Sequence, residues 1–134
     1  MTEYKLIIKN QLISKEEKFD VFNPSDDSLV GRAPKANESD LDNAIEAAKN
    51  AYKKWSKTSH QERQQAINAI ADLLEEHSDE LAKLLTLEQG KPLKGIGSEF
   101  ELQACIIWAR ACATLELPVE ILEETETTRI EQHR

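Results

Sequence analysis

The chain has 134 residues, and 17 Lys or Arg against 25 Asp or Glu give it a formal net charge of −8. This acidic balance argues against a nucleic-acid binder, which needs a basic face to neutralise phosphates, and against docking on anionic lipid. No apolar run approaches the roughly 18 residues of a membrane span, and the N-terminus lacks the features of a signal peptide. We therefore expect one cytoplasmic domain without a nucleic-acid or membrane partner.

Residues 4–33 have the pattern of short antiparallel strands joined by turns. Two apolar runs flank Asn10 and Gln11, and this arrangement predicts a hairpin that turns at the Asn-Gln pair. Two further runs are separated by residues 23–27, a dense cluster of turn-forming side chains that predicts a second strand pair. The expected strands are residues 6–8, 12–13, 19–22 and 29–33.

Residues 39–117 change to helical spacing, which predicts a cluster of three to four helices and, together with the strands, an α+β fold. Ser39, with Asp42 three residues later, predicts the start of the first helix. One apolar stripe runs along this helix: Leu41, Ala44, Ile45, Ala48, Tyr52 and Trp55. Trp55 is therefore expected to be a core anchor.

The second helical stretch is predicted to begin at Ser59, which forms a capping box with Glu62. The pattern pauses at residues 76–77 and restarts at Ser78. We expect it to end at Gly90, where glycine readily adopts the left-handed conformation of a helix C-cap.

The last helix is unusual because it is apolar on nearly all sides. Ser98 and Glu101 predict its capped start, and it is expected to extend over about residues 99–115. Between residues 104 and 113, Arg110 is the only charged or polar side chain. A helix of this kind is expected to be enclosed, and the other predicted elements offer too little surface to enclose it. We therefore expect this chain to be part of something larger.

Candidate reactive side chains on this helix favour a structural role. Cys105 and Cys112 are seven residues apart, so a straight helix separates their Cα atoms by about 10.5 Å. This separation excludes a disulfide, which needs about 7 Å, and a shared zinc ion. Both cysteines are predicted to be small buried hydrophobes, and Trp108 a core anchor.

Three histidines are interpreted as solvated surface residues that offer no metal site: His60, His77 and His133.

Two glycine patterns approach known phosphate-binding motifs without completing either. Residues 90–96 have the glycine spacing of a P-loop, but Gly95 is followed by Ile96 where a Lys is required. The Gly-Ile-Gly stretch ending at Gly97 is half of a dinucleotide fingerprint, and it follows a helix and a proline turn instead of a strand. Both glycine patterns are interpreted as parts of a connector.

Three acidic pairs are interpreted as solvated: residues 26–27, 75–76 and 123–124.

Pro118 ends the helical region, and the tail that follows mixes acids with β-forming side chains. Residues 119–134 are predicted to form one extended strand without a terminating turn. An unpaired strand of this kind needs a neighbour. The chain is accordingly divided into residues 1–118 and residues 119–134.

Several short stretches occur in an order that resembles the N-terminal segment of NAD(P)-dependent aldehyde dehydrogenases. They are Phe22-Asn23-Pro24, Ala51-Tyr52-Lys53-Lys54-Trp55, Glu62-Arg63, Ala71-Asp72-Leu73-Leu74-Glu75, Glu80-Leu81-Ala82 and Glu88-Gln89-Gly90-Lys91-Pro92, followed by Glu99. The last of these, with its later Glu, is the most specific. Asn10-Gln11 departs from the family, which commonly has Asn-Gly there.

The resemblance implies an α/β parent with a Rossmann-type domain that binds NAD or NADP. Residues 1–118 would be the N-terminal part of that domain, and residues 119–134 the start of an oligomerisation strand. The family's nucleophilic Cys, general base and oxyanion-stabilising Asn lie beyond the matched region. Cys105 and Cys112 lack the nucleophile's Gly-Gln context. No catalytic, cofactor-binding or metal-binding residue therefore maps onto this chain.

Two functional hypotheses follow from the resemblance. In the first, the chain is an inert fragment of a dehydrogenase that converts an aldehyde to a carboxylic acid, and it binds a second copy or the missing remainder. In the second, it is a free-standing, non-catalytic self-association or interaction module derived from that family. The unfinished strand at the end of the chain favours the first hypothesis.

Overall fold

The computed structural model describes residues 4–116 and 118–132, which form four helices and three two-stranded antiparallel sheets. The strands are β1 (Leu6–Ile8), β2 (Gln11–Ile13), β3 (Lys18–Phe22), β4 (Leu29–Pro34), β5 (Glu120–Glu124) and β6 (Arg129–Gln132). The helices are α1 (Glu38–Trp55), α2 (His60–Glu76), α3 (Ser78–Gln89) and α4 (Ser98–Ala113). The predicted mixture of short N-terminal antiparallel strands and a helix cluster is confirmed.

The first hairpin turns one residue earlier than predicted. Lys9 and Asn10 have φ values of 56° and 61°, whereas Gln11 belongs to β2 and pairs with Ile8. A two-residue type I′ turn needs positive φ at both central residues, and Asn tolerates that conformation better than most. The structure therefore keeps Gln11 in the extended conformation that suits it.

The start of α1 also differs from the prediction. Asn37, and not Ser39, is the N-cap: its Oδ1 accepts a hydrogen bond from Asp40 N at 3.0 Å. Asp40 Oδ2 accepts in return from Asn37 N at 2.9 Å and forms an ion pair with Lys15 at 2.8 Å. Asn is as good an N-cap as Ser, and this position gains the extra ion pair.

Among the described residues, α1 packs mainly against β1, and none of its side chains is buried. Tyr52 is 66% exposed and Trp55 is 47% exposed. The prediction that Trp55 anchors a core is therefore wrong for this chain. The periodicity identified one face of the helix, but within the described part of the chain β1 reaches only some of that face and leaves Tyr52 and Trp55 exposed.

The core lies where α4 packs against α2 and α3. Its buried apolar residues are Ala71, Ala82, Leu102, Ile106 and Ala113. The predicted boundaries between α2 and α3 are confirmed: Ser59 caps α2 with Glu62, and α3 begins at Ser78. Gly90 ends α3 with a φ of 65°, as expected. No helix within the described residues is long and apolar enough to cross a membrane.

The capping box of α2 gives a testable dependence of stability on pH. Glu62 accepts hydrogen bonds from the amide and the hydroxyl of Ser59, and these contacts lower the pKa of Glu62. A carboxylate with a lowered pKa stabilises the fold above its unfolded pKa of about 4.3. This stabilisation is lost as the pH falls through the folded value.

We therefore expect Glu62→Gln to be less stable than the parent chain at neutral pH, with the difference shrinking as the solution is acidified below about pH 4.3. Urea unfolding followed by circular dichroism at several pH values measures this difference. A gap that stays constant with pH would show that the Glu62 carboxylate contributes no charge-dependent stabilisation.

The start of α4 is not capped as predicted. Gly97 is the N-cap, without a side-chain hydrogen bond, and Ser98 is the first residue of the helix and fully buried. Ser98 Oγ instead accepts a hydrogen bond from Thr86 Oγ1 of α3 at 2.8 Å. Glu101 is likewise used elsewhere, in an ion pair with Lys91. The helix ends at Ala113, two residues before the predicted end.

The tail forms a hairpin, β5–β6, so the prediction of a single strand is wrong. Thr125 closes the turn: its amide donates to Thr128 O at 2.8 Å, and its hydroxyl oxygen accepts from Thr128 N at 3.0 Å. Threonine side chains here replace the glycine or asparagine by which such turns are usually recognised. All residues of β5 and β6 are exposed.

Candidate functional site

The side of α4 opposite the core is apolar and uncovered. We define the α4 outer face as Phe100, Ala104, Ile107, Trp108, Ala111 and Leu115, the last lying just beyond the helix. Ile107 is 64% exposed and Trp108 is 70% exposed. The prediction that Trp108 anchors a core is wrong for this chain, because α2 and α3 cover only one side of α4. The α4 outer face is the surface that the sequence predicted to need a cover.

Arg110, in the last turn of α4, is turned towards α2. Its Nη2 donates to Glu75 Oε2 at 2.6 Å and to Asp72 Oδ1 at 2.9 Å. These hydrogen bonds, led by the one that Glu75 accepts, raise the pKa of Arg110, so the guanidinium stays charged and engaged. Glu75 remains mostly exposed, as predicted, but it has a definite structural partner. The α4 outer face itself therefore carries no ionised side chain.

The end of α4 is fixed by polar side chains from the first turns of α2. His60 Nε2 lies 2.6 Å from Leu115 O, and Gln64 Nε2 donates to the same oxygen at 3.2 Å. Because a carbonyl oxygen only accepts, the His60 ring nitrogen must carry its hydrogen. His60 is thus half-buried and structural, not simply solvated as predicted. His77 is exposed as expected, and His133 lies outside the described residues.

Cys105 and Cys112 are exposed free thiols, so the prediction that they are buried is wrong. Both lie on α4 beside the outer face, on the part of the helix that α2 and α3 leave uncovered. Within residues 4–116 and 118–132, no group of three or more His, Cys, Asp or Glu is placed to hold a metal ion.

Two of the stretches that carry the resemblance, around Asn23 and Gly90, meet in space. Asn23 is buried, and its Oδ1 accepts from the Ser25 amide at 3.0 Å and from the Ser25 hydroxyl at 2.8 Å. A Cβ on Gly90 would lie 3.0 Å from Ser25 N. This close approach packs the β3–β4 loop onto the end of α3. Asn23 and Gly90 therefore have a structural role, because they join the β3–β4 loop to the end of α3.

The glycines between α3 and α4 do not form a phosphate cradle. A Cβ on Gly97 would lie 2.0 Å from Pro92 O, so the chain's own backbone fills that space. Ser98 N donates to the same oxygen at 3.1 Å, and Glu99 N donates to Leu93 O at 3.1 Å. A cofactor phosphate at a helix N-terminus needs such amides free. The connector between α3 and α4 therefore does not offer its glycine backbone to a phosphate.

Sequence reasoning missed the polar contacts that close this turn. Lys91 is largely buried and forms an ion pair with Glu101, and Thr86 contacts Ser98 as described above. These partners lie ten to twelve residues apart across an irregular turn. No helical or strand period links such positions, so no signal in the sequence pairs them.

The sequence and the fold both have extensive counterparts among known proteins. The pattern of the aldehyde dehydrogenase family matches residues 12–133. A probable aldehyde dehydrogenase from a Pseudomonas species is 34% identical over 127 residues, which are 95% of this chain and 25% of that protein. The mitochondrial acylating methylmalonate-semialdehyde/malonate-semialdehyde dehydrogenase of Mus musculus is 40% identical over 91 residues, which are 66% of this chain and 17% of that protein.

Solved structures agree. The NAD⁺ complex of an aldehyde dehydrogenase from Bacillus cereus matches with a TM-score of 0.84 at 28% identity, over 96% of this chain and 27% of that one. A benzaldehyde dehydrogenase from Corynebacterium glutamicum matches with a TM-score of 0.80 at 27% identity, over 92% of this chain and 28% of that one. The chain thus spans about a quarter of the length of such relatives. It belongs to the aldehyde dehydrogenase family, as a counterpart of the family's N-terminal segment.

Proposed function

We propose that this chain is the N-terminal part of an NAD- or NADP-dependent dehydrogenase that oxidises an aldehyde to a carboxylic acid. Alone, it is catalytically inert and holds no catalytic, cofactor-binding or metal-binding residue. Residues 1–118 belong to the cofactor-binding domain, residues 119–134 begin the oligomerisation element, and the protein works in the cytoplasm. The family match over residues 12–133 supports this proposal.

The α4 outer face is the observation that carries the proposal. It presents four large apolar side chains and no charge on the side of α4 that the rest of the chain leaves open. Such a patch is typical of a surface that a protein partner covers. We infer that in the whole dehydrogenase the remainder of the cofactor-binding domain packs here and supplies the cofactor site.

The first test is the size of the native polypeptide that carries this segment, measured by immunoblot of the source cell. The proposal expects a product several times longer than 134 residues. The same cell extract, depleted with an antibody against this chain, should lose NAD- or NADP-dependent oxidation of at least one aldehyde. A native product of 134 residues would overturn the proposal and leave the interaction-module hypothesis.

A complementation assay tests the role of the surface itself. The 134-residue chain is mixed with a Bacillus cereus aldehyde dehydrogenase from which the matching segment has been deleted, and reduction of NAD⁺ is followed with an aldehyde panel. Each piece alone should be inactive, and the mixture active. Trp108→Glu should abolish rescue, whereas Gln65→Glu, which adds the same charge at an exposed polar position of α2, serves as the matched control. Activity of the 134-residue chain alone would contradict the proposed inertness.

A further inference from the structure

A groove with mainly apolar walls runs between β1 and α1 and shares no residue with the α4 outer face. It consists of two hollows of about 470 and 230 Å³, which adjoin because Ile7, Ile8 and Ala44 line both of them. Consecutive residues of β1 form one wall, and alanines of α1 form the other. We define the β1 groove by these residues: Ile7, Ile8, Ala44, Ala47, Ala48 and Ala51.

The edge of β1 beside this groove pairs with no strand in the described part of the chain, where β2 is the one neighbour of β1. Ile8 and Gln11 flank the two-residue turn, and such a pair exchanges both of its hydrogen bonds. The next pair, Ile7 and Leu12, is therefore of the non-hydrogen-bonded kind. The backbone N–H and C=O of Ile7 consequently point away from β2, towards the free edge.

The β1 groove has the dimensions of an extended peptide. The three residues of β1 extend over about 10 Å, and the helical rise from Ala44 to Ala51 is about 10.5 Å. The small alanine side chains leave space above α1 for the side chains of another segment. A free, apolar strand edge is a template for a further strand. In this mode of recognition, main-chain hydrogen bonds supply affinity and the flanking pockets select side chains.

We propose that an extended segment from the remainder of the dehydrogenase adds to β1 as a third strand and lies in the β1 groove. Its backbone pairs with the N–H and C=O of Ile7, and small apolar side chains at alternate positions contact the alanines of α1. This inference rests on the proposed function, because the segment comes from the roughly three quarters of the relatives' length that this chain does not match.

The charged side chains at the two ends of the groove indicate the chemistry of that segment. Lys9 lines the end beside the hairpin turn, and Asp40 lines the opposite end. Asp40 Oδ2 already forms an ion pair with Lys15 at 2.8 Å. A segment with an acidic side chain at the Lys9 end, and apolar side chains along the alanines, is complementary to this distribution of charge.

A second copy of this chain fits the groove less well. Its β1 would bring its own α1, which lies beside the same edge, so the two helices would meet before the strands could pair. Its β5 carries three glutamates within five residues, and the alanine wall offers them no partner. The remainder of the dehydrogenase is therefore the occupant that the groove favours.

Proline substitution on each side of the hairpin tests strand addition. Ile7→Pro removes the N–H that faces the groove, whereas Leu12→Pro removes the N–H that faces the other edge, and proline is tolerated at outward-facing positions of edge strands. The two side chains are 72% and 68% exposed, so the pair is well matched. Calorimetric titration with the segment-deleted Bacillus cereus enzyme measures affinity. We expect Ile7→Pro to weaken binding at least about tenfold and Leu12→Pro to leave it unchanged.

The outcomes separate this inference from the proposed function. Unchanged affinity of Ile7→Pro, with binding still lost in Trp108→Glu, would overturn strand addition and leave the proposed function standing. Equal losses for Ile7→Pro and Leu12→Pro would assign the effect to the hairpin as a whole and would also overturn strand addition. A parent chain that does not bind the deleted enzyme would contradict both proposals.

Filling the groove from the helix side is an independent test that leaves the hairpin intact. Ala48→Phe places a large side chain where the added strand would lie, and it should weaken binding at least about tenfold. Asn43→Phe is the matched control, because Asn43 is exposed and lies about 140° around the helix axis from Ala48. Circular dichroism checks that both variants keep their helices. Full affinity of Ala48→Phe would show that no segment occupies the groove.

Discussion

Gly97→Ala is expected to destabilise the chain by about 3 kcal/mol, as an overpacked backbone contact does. The added Cβ would lie 2.0 Å from Pro92 O, and both groups are held by the hydrogen bond from Ser98 N to that oxygen. The backbone of Gly97 is extended, so its φ is acceptable to alanine and the whole cost comes from the clash. Urea denaturation followed by circular dichroism measures the loss.

Gly95→Ala is the matched control. Gly95 has a φ of 72°, but a Cβ there meets no atom within 4 Å. Its substitution should cost only about 1 kcal/mol, the price of a left-handed alanine. If Gly95→Ala proved as damaging as Gly97→Ala, backbone conformation and not the contact with Pro92 would control this turn.

Ile106→Ala is expected to lower the free energy of unfolding by about 2–5 kcal/mol, and Ile107→Ala by less than about 1 kcal/mol. The two residues are neighbours of the same type on the same helix, but Ile106 is 5% exposed and Ile107 is 64% exposed. Truncating Ile106 leaves a cavity between α4 and the other core helices. Truncating Ile107 removes apolar atoms that are mostly exposed to water in the folded chain.

Unfolding is measured for this pair at low protein concentration, so that any association through Ile107 does not contribute. Equal losses for the two variants would show that α4 is rotated relative to the described packing. A larger loss for Ile107→Ala would show that the α4 outer face is the buried one.

Helix boundaries were predictable where only one nearby residue is suited to cap or end the helix. The break between α2 and α3 and the end at Gly90 depend on a few adjacent side chains, and both are confirmed. The caps of α1 and α4 were not, because several polar residues compete there. Asn37 outcompetes Ser39 through its contact with Asp40, and Lys15, distant in sequence, supports that choice.

The spacing of apolar residues predicted which side of a helix is apolar, but it did not predict whether that side is buried. The stripes containing Trp55 and Trp108 each occupy one side of a helix, as their spacing requires. Whether such a side is covered depends on the elements available to pack on it, and periodicity contains no such information. For the same reason, the sequence did not show that Cys105 and Cys112 are exposed. The polar turn around Gly97 depends on contacts across irregular backbone, which follow no period.

The packing of α1 has a consequence for how the chain folds. With no buried side chain and contacts mainly to β1, this helix adds little to the cooperativity of the molecule. Local opening should therefore release its amide hydrogens to solvent while those of α2 and α4 exchange only on global unfolding. The chain then consists of two folding units that differ in their free energy of opening. One unit contains α2, α3 and α4 and unfolds as a whole. The other contains α1 and the β1–β2 hairpin, and it opens and closes many times before the first unit unfolds.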